Sequence, residues 1–136
     1  MRQGCLIVIV LMFICCLSAS GTQYIYFSNS SANTIERANL DGSGVISDFI
    51  TGCSWPREVL ANETHLFWLN FTGPSIARAN LDGTGVDQNW ITVSSDPTSI
   101  AINDTHIFWT QGLGLFLGRA DINGTNVDPN FVVIGG

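Results

Sequence analysis

A sequence pattern that returns every 41 residues constrains the fold of this chain more than any single motif does. The segment IERANLDG at 35–42 recurs as IARANLDG at 76–83 and as LGRADING at 117–124. A second segment, ANETHLFWL at 61–69, recurs as INDTHIFWT at 102–110. Self-similarity at a fixed interval of this length is the signature of a repeat architecture. The chain is therefore interpreted as successive copies of one structural unit.

Each copy of the repeat is predicted to form four short strands. In the middle copy these strands are residues 57–61, 66–69, 76–81 and 86–93. A turn such as Asp82-Gly83-Thr84-Gly85 separates the third strand from the fourth, and Gly accepts the positive φ angles of tight hairpins. No segment shows helical periodicity with start and stop signals. The corresponding strands are 24–27, 35–40 and 45–51 in the first copy and 98–102, 107–110, 117–122 and 127–134 in the last.

The second strand of each copy is apolar at successive positions, as in Leu66-Phe67-Trp68-Leu69. A strand buried on both faces has this pattern, whereas a strand exposed on one face alternates. Four-stranded units of about 40–45 residues that cover one another on both faces are the blades of a β-propeller. A β-sandwich would explain the short strands but not the constant interval. We expect an all-β fold, a partial β-propeller of about three four-stranded antiparallel blades at about 24–53, 54–94 and 95–136.

The amino terminus has the pattern of a secretory signal peptide, which we assign to residues 1–20. Arg2 precedes an apolar run from Cys5 to Leu17, and the small residues Ser18-Ala19-Ser20 follow that run. A transmembrane helix needs about 20 apolar residues, which is longer than this run. Two alternatives stay open, an uncleaved anchor and a bacterial lipoprotein anchor at the Cys15-Cys16 pair.

Cleavage after Ser20 would release a secreted, extracellular domain of residues 21–136, in which Cys53 is the one thiol. A lone thiol cannot form an internal disulfide, so packing must hold the domain together. By register, the first strand of the first copy falls on residues 15–20, and we expect the first blade to be incomplete. The domain carries four Arg, no Lys and eleven Asp and Glu, a net charge of −7. It lacks the cationic surface that binding to nucleic acid or an anionic membrane requires.

Repeat-equivalent side chains are interpreted as structural. Arginine recurs on the third strand, where a guanidinium facing the next blade needs carboxylate or carbonyl partners to offset its desolvation. Aspartate in the following hairpin offers one carboxylate per copy, too few for calcium. Aromatic side chains, including Trp55 and Trp90, are expected in the core or between blades. The repeat-structural residues are Arg37, Arg78, Arg119, Tyr26, Trp68, Trp109, Asp41 and Asp82.

No catalytic, metal or cofactor site is predicted. His65 and His106 are repeat equivalents that would lie one blade apart, and a third His to complete a zinc or catalytic cluster is lacking. The glycines punctuate hairpins and form no phosphate-binding loop. Five N-x-S/T sequons are candidate N-glycosylation sites in a eukaryotic host. They are Asn29, Asn62, Asn70, Asn103 and Asn123, of which Asn62 and Asn103, in matched turns, are the strongest candidates.

The repeat resembles the YWTD repeats of the low-density-lipoprotein-receptor class, in which an aromatic strand precedes an I-x-R-A-x-L-D-G strand and hairpin. The segments at 35–42 and 76–83 match the second motif closely, whereas the copy at 117–124 has Asn in place of Asp. The repeat is also similar to those of uncharacterised secreted bacterial proteins built of R-A-N-L-D-G-T-G-V units. The acidic residue that closes Y-W-T-D is replaced by Ser28, Asn70 and Gln111.

This resemblance implies a six-bladed ring and extracellular protein recognition. Three readings of the shorter chain stay open: a truncated gene product, a partial ring completed by a homo-oligomer, or an open stack of blades. Two copies with three blades each would supply six, which favours a dimer. We expect a secreted binding or scaffold module for an extracellular protein or glycan, with no catalytic activity and no cofactor. The alternatives are a repeat remnant without independent activity and a propeller enzyme similar to the lyases or lactonases.

Overall fold

The computed structural model describes residues 14–19 and 22–134, which form twelve strands in three antiparallel sheets and no helix. None of this described segment could therefore cross a membrane as a helix. Each sheet has four strands hydrogen-bonded in chain order, and we call the sheets blades 1, 2 and 3. Blade 1 contains β1 (Ile14–Ala19), β2 (Thr22–Asn29), β3 (Thr34–Asn39) and β4 (Ile46–Ile50). Blade 2 contains β5 (Pro56–Ala61), β6 (His65–Asn70), β7 (Ser75–Asn80) and β8 (Asp87–Thr92). Blade 3 contains β9 (Pro97–Ile102), β10 (His106–Gln111), β11 (Phe116–Asp121) and β12 (Asp128–Val133).

The all-β, four-stranded antiparallel blades expected from the repeat are confirmed. In blade 1, β1 pairs with β2 from Ile14 opposite Phe27 to Ala19 opposite Thr22. In the full chain, blade 1 thus has its first strand, β1, close to residues 15–20, where the repeat register predicted it. Cleavage after Ser20 would remove β1, so the incomplete first blade predicted from the sequence applies to the chain without residues 1–20.

The blades stack face to face, with their first strands close together. Strand β5 lies beside both β1 and β9, while β4, β8 and β12 form the opposite edge of each sheet. This arrangement is that of neighbouring propeller blades, in which the first strands face the axis of the ring.

Blade 2 is buried on both faces, as the apolar run in its second strand predicted. Leu66 and Trp68 on β6 pack toward blade 1, and Phe67 and Leu69 pack toward blade 3, all without measurable exposure. Burial of each such side chain contributes about 1.5–3 kcal/mol. On β10 the pattern alternates instead, because among the described residues no fourth blade covers the far side of blade 3.

The strand register corrects one alignment made from the sequence. Tyr26 pairs with Arg37 as Phe67 pairs with Arg78, so Tyr26 corresponds to Phe67 rather than to Trp68. An alignment of YIYF at 24–27 with LFWL at 66–69 is therefore one residue out of register. The blade 1 counterpart of Trp68 and Trp109 is therefore Phe27, and the residue that closes the Y-W-T-D position is Asn29 rather than Ser28.

Trp68 and Trp109 occupy matching places, each opposite a small residue of the third strand. Trp68 pairs with Ala77 and Trp109 with Gly118. The Trp109 indole donates its Nε1–H to Gln111 Oε1 at 3.1 Å, whereas Trp68 Nε1 has no hydrogen-bond partner within the described segment. A Cβ added at Gly118 would overlap the Trp109 ring. Glycine at 118 therefore allows the ring to lie against the strand.

Gly118→Ala should destabilise the protein by about 1–3 kcal/mol, because the added methyl group overpacks the site and pushes the indole away from Gln111. Urea unfolding followed by tryptophan fluorescence measures this change. Ser99→Ala, on the exposed side of β9, is the control and should stay within about 0.5 kcal/mol of the parent. Equal unfolding midpoints for the two variants would contradict the role of Gly118 in leaving room for the Trp109 ring.

Candidate interaction surface

The third strand of each blade carries an arginine that stacks on aromatic rings of its own sheet. In blade 1, Arg37 Cζ lies 4.1 Å from the Tyr24 ring centroid and 4.6 Å from that of Phe49. Cation–π contacts of this kind contribute about 0.5–2 kcal/mol, depending on desolvation. The equivalent contacts are Arg78 on Trp90 at 4.9 Å and Arg119 on Phe131 at 4.1 Å.

These stacks replace the carboxylate or carbonyl partners expected for the three arginines. The single ion pair found in the described part of the chain joins His106 to Asp121 and involves no arginine. Each guanidinium is partly exposed, so water can solvate its N–H groups while the ring covers one face. Because water solvates each guanidinium from one side, no carboxylate is needed to offset the loss of its hydration.

A second-strand aromatic residue completes the stack in each blade. We call the arginine, its fourth-strand ring and this residue the arginine–aromatic set. In blade 2, Phe67 lies 5.3 Å from Trp90 between ring centroids. In blade 1 the distance from Tyr26 to Phe49 is 5.8 Å, and in blade 3 that from Phe108 to Phe131 is 6.4 Å. The set of blade 1 faces blade 2, since the Tyr26 hydroxyl donates to the Leu81 carbonyl at 3.2 Å.

Asp41 and Asp82 serve as hairpin residues. Asp82 Oδ1 accepts hydrogen bonds from the Thr84 amide at 2.9 Å and the Thr84 hydroxyl at 2.6 Å. Asp41 makes the same two contacts with Ser43. These hydrogen bonds lower the pKa of both carboxyl groups, and the bond from the side-chain hydroxyl has a larger effect than the bond from the backbone amide. In the last copy Asn123 accepts from Thr125 in the same way, so the turn requires an acceptor rather than a charge.

The two histidines lie in equivalent turns of different blades. His65 Nδ1 is 2.8 Å from the Thr64 hydroxyl, and His106 Nδ1 is 2.8 Å from that of Thr105. Desolvation, and then the charge of Arg78, lower the pKa of His65. His106 differs in that its Nε2 lies 3.6 Å from Asp121 Oδ1. No group of three metal-ligating side chains occurs within residues 14–19 and 22–134.

The sequons differ in their accessibility. Asn103 and Asn123 are exposed. Asn62 is half-buried, and its side-chain Oδ1 accepts hydrogen bonds from the Thr64 and His65 amides. Asn29 is half-buried and donates to Glu36 at 2.7 Å. Asn70 is only 2 % exposed. A glycan on Asn70 is incompatible with this fold.

The buried Asn70 belongs to a network that sequence reasoning missed. Its Oδ1 accepts from the Ser54 amide at 3.0 Å, and its Nδ2 donates to the Gln88 carbonyl at 3.0 Å. Gln88 in turn donates to Thr51 at 3.2 Å and to the Cys53 sulfur at 3.7 Å, which links blade 2 to the end of blade 1. Cys53 is a buried thiol whose pKa is raised chiefly by desolvation. The one sequence signal for this network was the amide side chain of Asn70 at the position where Y-W-T-D has its acidic residue.

Trp55 contradicts the expectation that the tryptophans are buried, because it is 52 % exposed. It lies before β5 with a φ of 53°, in the left-handed region that a bulky residue rarely adopts. Its amide donates to Asn33 Oδ1 at 2.9 Å and its carbonyl accepts from the Phe71 amide at 3.3 Å. The Trp55 and Phe71 ring centroids are 6.2 Å apart, and Arg57 Cζ lies 3.7 Å from the Phe71 centroid. We call Trp55, Arg57 and Phe71 the Trp55 platform.

Comparison with models of protein families finds no match, and comparison with curated proteins finds none either. Among solved structures, the chain is similar to one in the crystal structure of a nidogen/laminin complex, with a TM-score of 0.65 and 20 % identity. The match covers 72 % of this chain and 40 % of that chain. That complex contains YWTD β-propeller domains. The fold is thus that of a partial β-propeller, and the present chain spans about two fifths of the propeller chain it matches.

Asp82→Asn should reduce the loss of stability on acidification. The pKa of Asp82 is lower in the fold than the unfolded value of 3.8, so its stabilisation is present above that value and is lost as the pH falls through the lowered pKa. The amide keeps the acceptor but does not titrate. Urea midpoints measured between about pH 5 and 2 should therefore fall less steeply than in the parent.

Asp48→Asn, which removes the same charge from an exposed position on β4, is the matched control. An acid slope for Asp82→Asn as steep as that of the parent would contradict a role for the ionised carboxylate in the hairpin.

Proposed function

We propose that this protein is a secreted YWTD-type propeller module that binds an extracellular protein and has no catalytic activity of its own. The Trp55 platform is the observation that carries the proposal. Trp and Arg are enriched among the residues that dominate the affinity of protein interfaces. Secretion is supported by the signal pattern of residues 1–20, and the fold by its similarity to a propeller chain from a protein complex.

The Trp55 platform is suited to binding because it is held rigid before a partner arrives. A left-handed backbone at a bulky residue costs of order 1–3 kcal/mol and persists where the surroundings fix it. Here the Asn33 side chain and the Phe71 amide fix it on either side of Trp55. The exposed indole would lose little side-chain entropy on binding, which favours affinity.

The platform is also specific to one place in the repeat. The residues 41 positions after Trp55, Arg57 and Phe71 are Asp96, Thr98 and Gly112. The fold of a blade therefore does not need these three side chains. A role outside the blade explains why they occur together at one junction.

The proposal assigns no catalytic role to the histidines. His65 and His106 lie on different blades, and the hydroxyl beside each is also bonded to the Asn of its own turn. These contacts fit turn residues better than a nucleophile with its base. The proposal also includes a second copy of the chain as a partner, because two sets of three blades would supply the six that the family resemblance implies.

Capture of proteins from extracellular material on the purified secreted chain tests this function. The parent and Leu40→Ala, a control at a residue of 46 % exposure on another surface, should retain the same protein. Trp55→Ala should weaken its binding by about 30-fold or more, the loss expected for a residue that dominates an interface.

The proposal fails if the parent retains no protein, as expected of a repeat remnant, or if Trp55→Ala retains it as well as Leu40→Ala does. Capture that disappears after enzymatic removal of glycans from the material would identify a glycan ligand and overturn the choice of a protein partner.

A further inference from the structure

Two bulky apolar residues of this chain adopt a backbone conformation that such residues rarely adopt. Trp55 has a φ of 53° and Leu113 has a φ of 59°, both in the left-handed region. Trp55 is 52 % exposed and Leu113 is 89 % exposed. Since neither side chain is buried, packing into the core does not account for either conformation. The other non-glycine residues with a positive φ in the described chain are Asn33 and Asn126, and asparagine tolerates this region.

Leu113 occupies the tip of a tight loop between β10 and β11. The Gly114 amide donates to the Gln111 carbonyl, and the Leu115 amide donates to the Gly112 carbonyl, both at 3.2 Å. Gly112 and Gly114 also have a positive φ, of 61° and 81°. Glycine at 113 would adopt the same conformation without strain. The loop therefore does not need a leucine, and strained residues of this kind concentrate at functional sites.

The exposure of Leu113 is a property of its place in the repeat. The equivalent residues of blades 2 and 1, at successive steps of 41 positions, are Thr72 and Ser31. Both are exposed, although another blade follows the blade of each. Neither has a positive φ. The tip of this loop is thus open to solvent with or without a following blade, and among the three described blades only blade 3 places a strained apolar side chain there.

Trp55 and Leu113 lie at the same end of the blades. In an antiparallel sheet with its strands in chain order, the loop between the second and third strands emerges at the same end as the link to the next blade. A hydrogen bond of 3.2 Å from the Thr72 amide to the Ser54 carbonyl joins two of these segments. We call this end the junction end, and it is formed by residues 30–33, 51–55, 71–74, 93–96 and 112–115.

These two exposed side chains are close enough for one partner to contact both. Sheets packed face to face lie about 10 Å apart, so the loops of neighbouring blades are separated by roughly this distance. Trp55 packs against Phe71 in the loop of blade 2, and Leu113 belongs to the corresponding loop of blade 3. A standard interface covers about 800 Å² of each protein, a patch roughly 30 Å across. Such a patch spans both loops.

Arg57 gives the junction end a cation without a charged partner. Its Cζ lies 3.7 Å from the Phe71 ring centroid, and it forms no ion pair with any described residue. The acidic residues in or next to these segments are Asp96, which is exposed, and Glu36, which is 8 % exposed and bonded to Asn29. With the ring against one face, the N–H edge of the guanidinium remains for a carboxylate, which arginine can bind through two parallel hydrogen bonds.

The opposite end of the blades, which we call the hairpin end, is acidic. Asp41 and Asp82 are exposed in its hairpins, and Glu63 and Asp104 are exposed in the turns between the first and second strands. The exposed sequon residue Asn103 lies at this end as well. Like charges disfavour a negatively charged partner at the hairpin end. Charge therefore directs such a partner to the junction end.

We propose that the junction end is one interaction surface, on which Trp55 and Leu113 bind apolar side chains of the partner and Arg57 binds a carboxylate. The partner is an extracellular protein segment in which an acidic residue is flanked by apolar residues. The assignment rests on the proposed binding function, to which it adds a second contact residue and the chemistry of the partner. Because the left-handed loops hold both apolar side chains in place, little ordering opposes binding.

Selection of displayed random peptides on the immobilised full chain of 136 residues, which retains β1, tests the proposal. Peptides of about ten residues span roughly 30 Å when extended, enough to reach both loops. The selected peptides should carry Asp or Glu among apolar residues. Trp55→Ala should weaken their binding about 30-fold or more, whereas Leu40→Ala, at the hairpin end, should bind them as the parent does. Circular dichroism confirms that each variant retains its strands.

Leu113→Gly separates binding from stability. It should weaken binding of the selected peptides at least about tenfold, yet leave the urea midpoint unchanged or raise it, because glycine relieves the left-handed strain. Thr72→Gly, at the same position of blade 2 where φ is not positive, is the control for stability. It should lower the midpoint, because glycine adds conformational freedom to the unfolded chain.

Replacing the acidic residue of a selected peptide by its amide tests the role of Arg57. The change should weaken binding to the parent about tenfold, as for a hydrogen-bonded charge. It should weaken binding to Arg57→Gln less than about twofold, because the guanidinium is then already absent.

Failure to select any peptide would overturn the proposal, as would peptides that bind Trp55→Ala or Leu113→Gly as they bind the parent. So would peptides without an acidic residue, or an amide substitution that weakens binding to the parent and to Arg57→Gln equally. A midpoint lowered as much in Leu113→Gly as in Thr72→Gly would assign Leu113 to the fold instead. Capture of an extracellular protein that depends on Trp55 but not on Leu113 would leave the proposed function intact, so the two failures are distinguishable.

Discussion

Face-to-face packing between sheets is the interaction on which this structure depends. A single four-stranded blade has two apolar faces and cannot bury either one by itself. Blade 2 solves this problem completely, because Trp68 faces one neighbour and Phe67 faces the other, and both are fully buried. Cys53 is a free buried thiol, so it forms no disulfide that could substitute for this packing. The 41-residue interval persists because each copy must match the copies on either side.

The same constraint explains the properties of the end blades. Blade 3 keeps the apolar positions of the repeat although the described chain places nothing over them, so Val132 and Ile134 are exposed. Arg119 still stacks on Phe131 in blade 3, as Arg78 stacks on Trp90 in blade 2. Loops outside the packed faces are free of this constraint, and there the Trp55 platform departs from the repeat.

The repeat was sufficient to predict the strands, because burial on two faces leaves a pattern that local sequence shows. Local sequence could not predict features set by tertiary contacts. Trp55 is exposed because its turn adopts a left-handed conformation, which no pattern of apolar residues reveals. The prediction of carboxylate or carbonyl partners for the arginines was wrong, because strand pairing brings Phe49 close to Arg37 and Trp90 close to Arg78. Tyr26 was matched to Trp68 because neighbouring aromatic residues make the register of that strand ambiguous until Arg37 fixes it.

The most direct test of blade packing compares Phe67→Ala with Phe108→Ala, the same residue at the same repeat position with and without a covering blade. Both are measured by urea unfolding at two protein concentrations, so that any covering of Phe108 by a second copy of the chain would appear as a concentration-dependent midpoint. Phe67→Ala should cost about 3–5 kcal/mol, as for a fully buried ring, and Phe108→Ala should cost less than half as much. Equal losses would show that the neighbouring blade does not stabilise the aromatic strand and would contradict the account.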